Sequence, residues 1–130
     1  MRSTISFTGT TEVMERLKNV QHLIEKAGMD AVNNGLAILE KGMKEACPVN
    51  TDPNDTDTIH LRDSIRSVRG AMRYKNKIIG KVGPSKLTAM HVEFGTQNMF
   101  PRVFMRSQLY LHRDKIRNEA KQIIKGELGL

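Results

Sequence analysis

Cysteine is almost missing from this sequence. Cys47 stands alone, so no disulfide can form within the chain and no cysteine cluster can hold zinc. Tryptophan is absent, and aromatic residues make up only 5% of the chain, too few and too scattered for a base-stacking platform. No apolar run reaches the length of a membrane span or a signal-peptide core; the longest is Gly35 to Leu39. These absences predict a protein made in the cytosol, without a membrane partner and with Cys47 as a buried structural thiol. At 130 residues the chain is expected to form one domain, 1–130. Eight methionines stand in for the missing aromatics, so flexible thioethers must fill much of a thin core that gains from burial against partners.

Charge is unevenly placed. The whole chain carries +7, but residues 1–61 hold 6 basic and 9 acidic residues while 62–130 hold 15 and 5. Such polarity fits either a polyanion ligand or the packing of the acidic end of one copy against the basic end of the next.

The hydrophobic pattern predicts the elements. Ser3, Ile5 and Phe7 alternate with polar neighbours as a short strand closed by Gly9. Thr10 or Thr11 can cap a helix in which Val13, Leu17, Val20, Ile24, Ala27 and Ala31 recur at helical spacing, continuing through Ile38, Leu39 and Met43. That run exceeds an ordinary helix, and Gly28 is the natural break, so two N-terminal helices, or one kinked, are expected before Pro48. Residues 48–60 are polar with two prolines and three aspartates, a mobile loop. Val68, Gly70, Met72 and Tyr74 share one strand parity, and Ser67, Arg69 and Arg73 the other, giving an apolar face and a basic one. Lys75, Asn76 and Lys77 turn the chain into a second strand that stops at Gly83 and Pro84. Pro84 to Thr88 reads as a loop. A long last helix is entered at Pro101, carries Met105, Leu109, Ile116, Ala120 and Ile123, and is ended by Gly126 and Gly129. The fold class expected is α+β: a small antiparallel sheet, made of the N-terminal strand plus the hairpin, packed against two N-terminal helices and one long C-terminal helix.

Chemistry-bearing constellations are sparse. None of His22, His60, His91 and His112 has a second histidine four residues on, as a helical zinc site requires. His91 and Glu93 are two apart and could act as an acid/base pair only in an extended segment. Asp52, Asn54, Thr56 and Asp63 touch a calcium-loop register, but Asp57 occupies the position that demands glycine. Gly80 to Lys86 has the wrong spacing for a phosphate loop. No catalytic set, cofactor or metal is therefore expected. Arg66, Arg69 and Arg73 with the last helix could contact phosphates, which keeps a small basic nucleic-acid-binding protein open as the alternative.

One segment stands apart. Glu93-Phe94-Gly95-Thr96 puts a carboxylate, an aromatic and a glycine in succession, and is followed by Arg102, Phe104 and Arg106 at a helix entry. Gly95 lets the backbone approach a neighbour closely while an arginine holds Glu93. This segment resembles the Glu-Phe-Gly-Thr signature and Arg-Pro-Phe-Leu-Arg helix start of the head-tail joining, or tail-completion, proteins of long-tailed bacteriophages. Ala46-Cys47-Pro48 and Leu61-Arg62-Asp63-Ser64-Ile65 extend the likeness upstream. What the resemblance implies is a non-enzymatic virion protein forming a homo-oligomeric ring of six copies in the neck. Its partners would be the tail-terminator or tail-tube and head-completion connector proteins, with non-specific contact to DNA in the channel. Glu93, Phe94, Gly95, Thr96, Arg102, Phe104 and Arg106 would then be subunit-contact or contact-orienting residues, or simply pack the sheet on the last helix. Composition marks Asp52, Asn54, Asp55 and Asp57 as a partner-contact loop.

Overall fold

A computed structural model describes residues 9–49 and 60–130. The expected strand around Ile5 and the acidic loop with Asp52, Asn54, Asp55 and Asp57 lie outside the described residues. The remainder is α+β. Helix α1 (Thr10–Ala46) is followed by a 3₁₀ turn (Arg62–Ser64), strands β1 (Ile65–Tyr74) and β2 (Lys77–Pro84), a short helix α2 (Thr88–Phe94) and helix α3 (Met105–Leu128).

The two expected N-terminal helices are one. α1 runs unbroken for 37 residues, about 55 Å at 1.5 Å per residue. Gly28 does not break it, because its missing side chain serves packing: an added Cβ would sit 2.5 Å from Ile78 Cδ1 of β2. The cap also differs from expectation. Gly9 occupies the N-cap with no side-chain bond, and Thr10 is already helical.

β1 and β2 pair antiparallel around a turn at Lys75, which sits at φ 54°. The register shifts between Val68 and Met72, where two extra residues of β1 bulge out at Gly70. Asn33 Oδ1 accepts the N–H that the bulge frees at Ala71, 2.7 Å away. The face that looked apolar in the sequence is the outer one. Gly80 meets Val32 and Leu36 of α1, so Ile78, Gly80 and Val82 face the helix. Their partners Arg73 and Ser67 do too, while Val68 and Tyr74 are more than half exposed. Arg73 therefore spends its charge on Glu25, 2.6 Å away, and shares no stripe with Arg66. The side chain of Arg69 lies outside the described part. The Ser67 N–H donates to Glu40, whose carboxyl is held below its ordinary value chiefly by the hydrogen bond from Lys44.

α3 lies antiparallel on α1: Gln108 and His112 oppose Gly42, Ile116 opposes Gly35, and Asn34 donates to Glu119 at 2.7 Å. Further along, Asp30 lies beside Glu127 and pushes its carboxyl above the ordinary value. The helix runs through Gly126, which was expected to help end it, and closes at Gly129, in the left-handed region.

The core gathers at the C-terminal end of α1, where Met43, Cys47, Ile65, Ala89 and Phe104 meet. Arg62 donates to the Cys47 carbonyl at 3.2 Å and ties the end of α1 to the 3₁₀ turn. Burial pushes the Cys47 thiol above its ordinary value, with nearby Arg62 opposing. Native protein at pH 8 is therefore expected to react with a thiol reagent only slowly, and to give one full equivalent once denaturant opens the core. Stoichiometric labelling of the native chain would contradict this packing.

Candidate functional site

α2 is a seven-residue helix with two different faces. Ala89 and Glu93 point inward and are buried; Leu87, Met90 and Phe94, three and four residues apart, form an outward ridge with exposures of 82%, 59% and 59%. The ridge is apolar yet uncovered.

What fixes α2 in place is Glu93. Its carboxylate is completely buried and accepts the backbone N–H groups of Phe104 (2.9 Å), Met105 (3.1 Å) and Arg106 (3.1 Å), plus Arg106 Nε at 3.0 Å. The first N–H groups of a helix have no partner within it and carry the positive end of its dipole. Phe104 and its neighbours offer no side-chain cap of their own. Glu93, eleven residues upstream, supplies that cap from another element. Burial alone would push the Glu93 carboxyl up; the three backbone donors and the Arg106 guanidinium outweigh it and hold the carboxyl below its ordinary value. The helix starts at Met105 and not at Pro101 because the clamp closes there.

The intervening chain is shaped to return to the clamp. Gly95 sits at φ 77°, ψ 172°, and an added Cβ would come within 2.8 Å of the Met99 carbonyl oxygen and the Pro101 nitrogen. Thr96 and Met99 exchange both backbone hydrogen bonds across a tight turn. The Arg102 N–H then donates to the Val92 carbonyl at 2.7 Å, strapping the segment onto α2, with its side chain exposed. Phe104, 1% exposed, plugs the core. Arg106 bridges the buried and exposed sides: while its Nε holds Glu93, its guanidinium lies 4.7 Å from the Phe94 ring centroid.

The structure thus brings together Glu93, Phe94, Gly95, Phe104 and Arg106, with Thr96 and Arg102 shaping the connection. His91 and Glu93 form no acid/base pair, since on a helix two residues apart point to different sides: His91 is exposed and Glu93 buried. Among the described residues no group of histidine, cysteine, aspartate and glutamate could hold a metal ion. No described helix is long and apolar enough to cross a membrane. Sequence reasoning passed over Leu87 and Met90; their spacing to Phe94 was the available signal, hidden because a seven-residue helix leaves little periodicity to read.

Replacing Glu93 with Ala strands three helix-end donors and is expected to cost roughly 2 to 4 kcal/mol, with Glu93→Gln losing less. Because the folded pKa is depressed, the advantage of the parent over Glu93→Gln should be full at neutral pH. It should shrink as pH falls below about 4.3 and vanish once the folded pKa is passed. Denaturant melts across that range check this; a difference independent of pH would contradict an ionised clamp. Gly95→Ala, strained in backbone and blocked by backbone atoms, should destabilise by at least about 1 to 2 kcal/mol.

With this geometry in hand, comparison with known proteins gives one family. The family model described as "Bacteriophage HK97-gp10, putative tail-component" matches residues 11–95, from the start of α1 through Gly95. No curated protein and no solved structure matches the chain.

Proposed function

This chain belongs to the HK97-gp10-like family of bacteriophage tail components, and on that premise we propose that it is a virion structural protein that forms a ring of six copies at the neck. There it joins or completes the tail at the head connector, touching the tail-terminator or tail-tube proteins on one side and the head-completion connector on the other. It works by assembly and not by catalysis.

The observation that carries this reading is the outward ridge of α2. Leu87, Met90 and Phe94 expose apolar surface on an element whose inner side is locked by the buried Glu93 clamp. A rigid, uncovered apolar ridge beside a cation suits a protein interface, where aromatic residues and arginine carry most of the binding energy. In this reading Phe94, Arg106 and the exposed Arg102 make subunit contacts. Glu93, Gly95, Thr96 and Phe104 hold them in position. The segment containing Asp52, Asn54, Asp55 and Asp57 is assigned, from its composition, to contact with an adjoining protein of the neck.

A second reading rests on α3. Arg113, Arg117 and Lys121 are exposed and four residues apart, so they form one basic stripe along the helix. In a ring that stripe suits weak, sequence-independent contact with DNA in the channel. A dedicated nucleic-acid-binding protein would instead bind duplex tightly, with log K falling by about 0.9 per neutralised phosphate for each decade of salt.

Removing the gene from the phage is expected to leave filled heads and finished tails that fail to join, and a label on the restored protein should appear at the neck. Joined, infectious particles formed without it would contradict this function.

A further inference from the structure

The sheet has an open edge. β2 pairs with β1 on one side, and among the described residues no backbone group bonds it on the other. Sheet edges are ordinarily blunted by a bulge, a proline or a charge turned inward. β1 carries the bulge, at Gly70, whereas β2 runs straight from Lys77 to Gly83 with a proline only at its last residue, Pro84. Beside β2 a groove opens between Gly80 and Val82 of the strand and Met105 and Leu109 of α3, over Leu39 and Met43 of α1. No residue of β1 lines it, so it lies along the side of β2 that β1 leaves free. Ile78, Gly80 and Val82 are only half-buried although they face α1, and Leu109 is 49% exposed. A free strand edge beside an apolar groove is suited to an extended segment, held by main-chain hydrogen bonds and by alternate side chains entering the groove.

The sequence holds a segment of that pattern. Ser3, Ile5 and Phe7 alternate with Arg2, Thr4, Ser6 and Thr8, so one side of an extended 2–8 segment is apolar and the other polar. These residues lie outside the described part, but the point from which they start is described. Every residue of α1 from Thr10 to Ile24 is exposed, a stalk of about 22 Å whose Val13, Leu17, Val20 and Ile24 no described element covers. At its tip Gly9 stands at φ 94°, off the helical path. The segment is therefore attached clear of the body. Within one molecule it cannot meet the groove. Gly80 packs against Val32 and Leu36, about 35 Å along α1 from Gly9, while Ile5 is at most about 14 Å of chain from Gly9.

We propose that residues 2–8 of each copy add as a strand to the free edge of β2 in a second copy of this chain. Ile5 and Phe7 enter the groove over Leu39, Met43 and Leu109, and Thr4, Ser6 and Thr8 share the outer face with Lys81. The inference rests on the ring reading above and adds a contact to it. Donor and acceptor surfaces differ, so the contact is heterologous and closes into a ring when the rotation per copy divides a full turn.

The test is cysteine cross-linking between the outer faces of the two strands. Thr4→Cys, Ser6→Cys and Thr8→Cys chains are each mixed with a differently tagged chain carrying Lys81→Cys at an exposed position, with buried Cys47 as the internal control. It is run on the protein in phage-producing cells and on the purified protein at high concentration. At least one of the three pairs should give mixed dimers on oxidation, Ile5→Cys should give far less, and Lys81→Cys alone should give none. A chain carrying both cysteines of the productive pair should give a ladder that ends at one closed species. No mixed dimer in either setting, equal yield from Ile5→Cys, dimers from Lys81→Cys alone, or a double variant that links only within itself overturns the contact. If the parent protein is then still found as a ring at the neck, the ring reading stands without it. A ladder that never closes keeps the contact and overturns the ring.

Discussion

One buried carboxylate sets the geometry of half this molecule. Glu93 is buried away from the surface, and its charge is stabilised by the three backbone N–H groups and one guanidinium that converge on it. The requirement is mutual. α3 begins without a cap of its own, and α2 is too short to hold its orientation alone, so each element is fixed by what the other lacks. From that contact follow the tight path at Gly95, the turn at Thr96 and the burial of Phe104. So does the position of Arg106, whose far side reaches Phe94 at the surface. A motif that reads as one block divides by depth into an architectural part and an exposed part.

The rest of the chain looks like a part made to be covered. The sheet has one layer of helix on its inner face, while Val68 and Tyr74 on the outer face meet solvent. The core is a small cluster at one end of a long helix, built partly of the thioethers that a chain poor in aromatics must use. Apolar surface left open at both ends of α1 fits a subunit whose stability and shape are completed by neighbours.

Much of this was legible in the sequence, and the misses share a cause. Strand alternation and the Lys75 to Lys77 turn located the hairpin, and Gly129 marked the end of α3, because turns and caps are local chemistry. Gly28 misled because its glycine serves a contact with Ile78, fifty residues away, and not the conformation of its own helix. The strand alternation showed an apolar and a basic face but not which of them packs, and the outward side carries Val68 and Tyr74. Arg73 and Ser67 instead use their polar groups on Glu25 and Glu40 of α1. The Glu93 cap was foreseen only as a carboxylate held by an arginine; its backbone donors belong to the entry of a helix that starts twelve residues later. Long-range satisfaction of polar groups leaves no periodic trace.

The central claim is that the inner side of the Glu93 to Arg106 segment folds the protein and the outer side assembles it. Met90→Asp separates the two, because Met90 lies on the exposed ridge and makes none of the hydrogen bonds that hold Glu93. The decisive measurement takes the thermal midpoint of this variant together with its ability to convert separate heads and tails into joined particles. The account predicts a midpoint within about 2 °C of the parent, with joining lost. Joining at the parent level with the ridge so charged would contradict it.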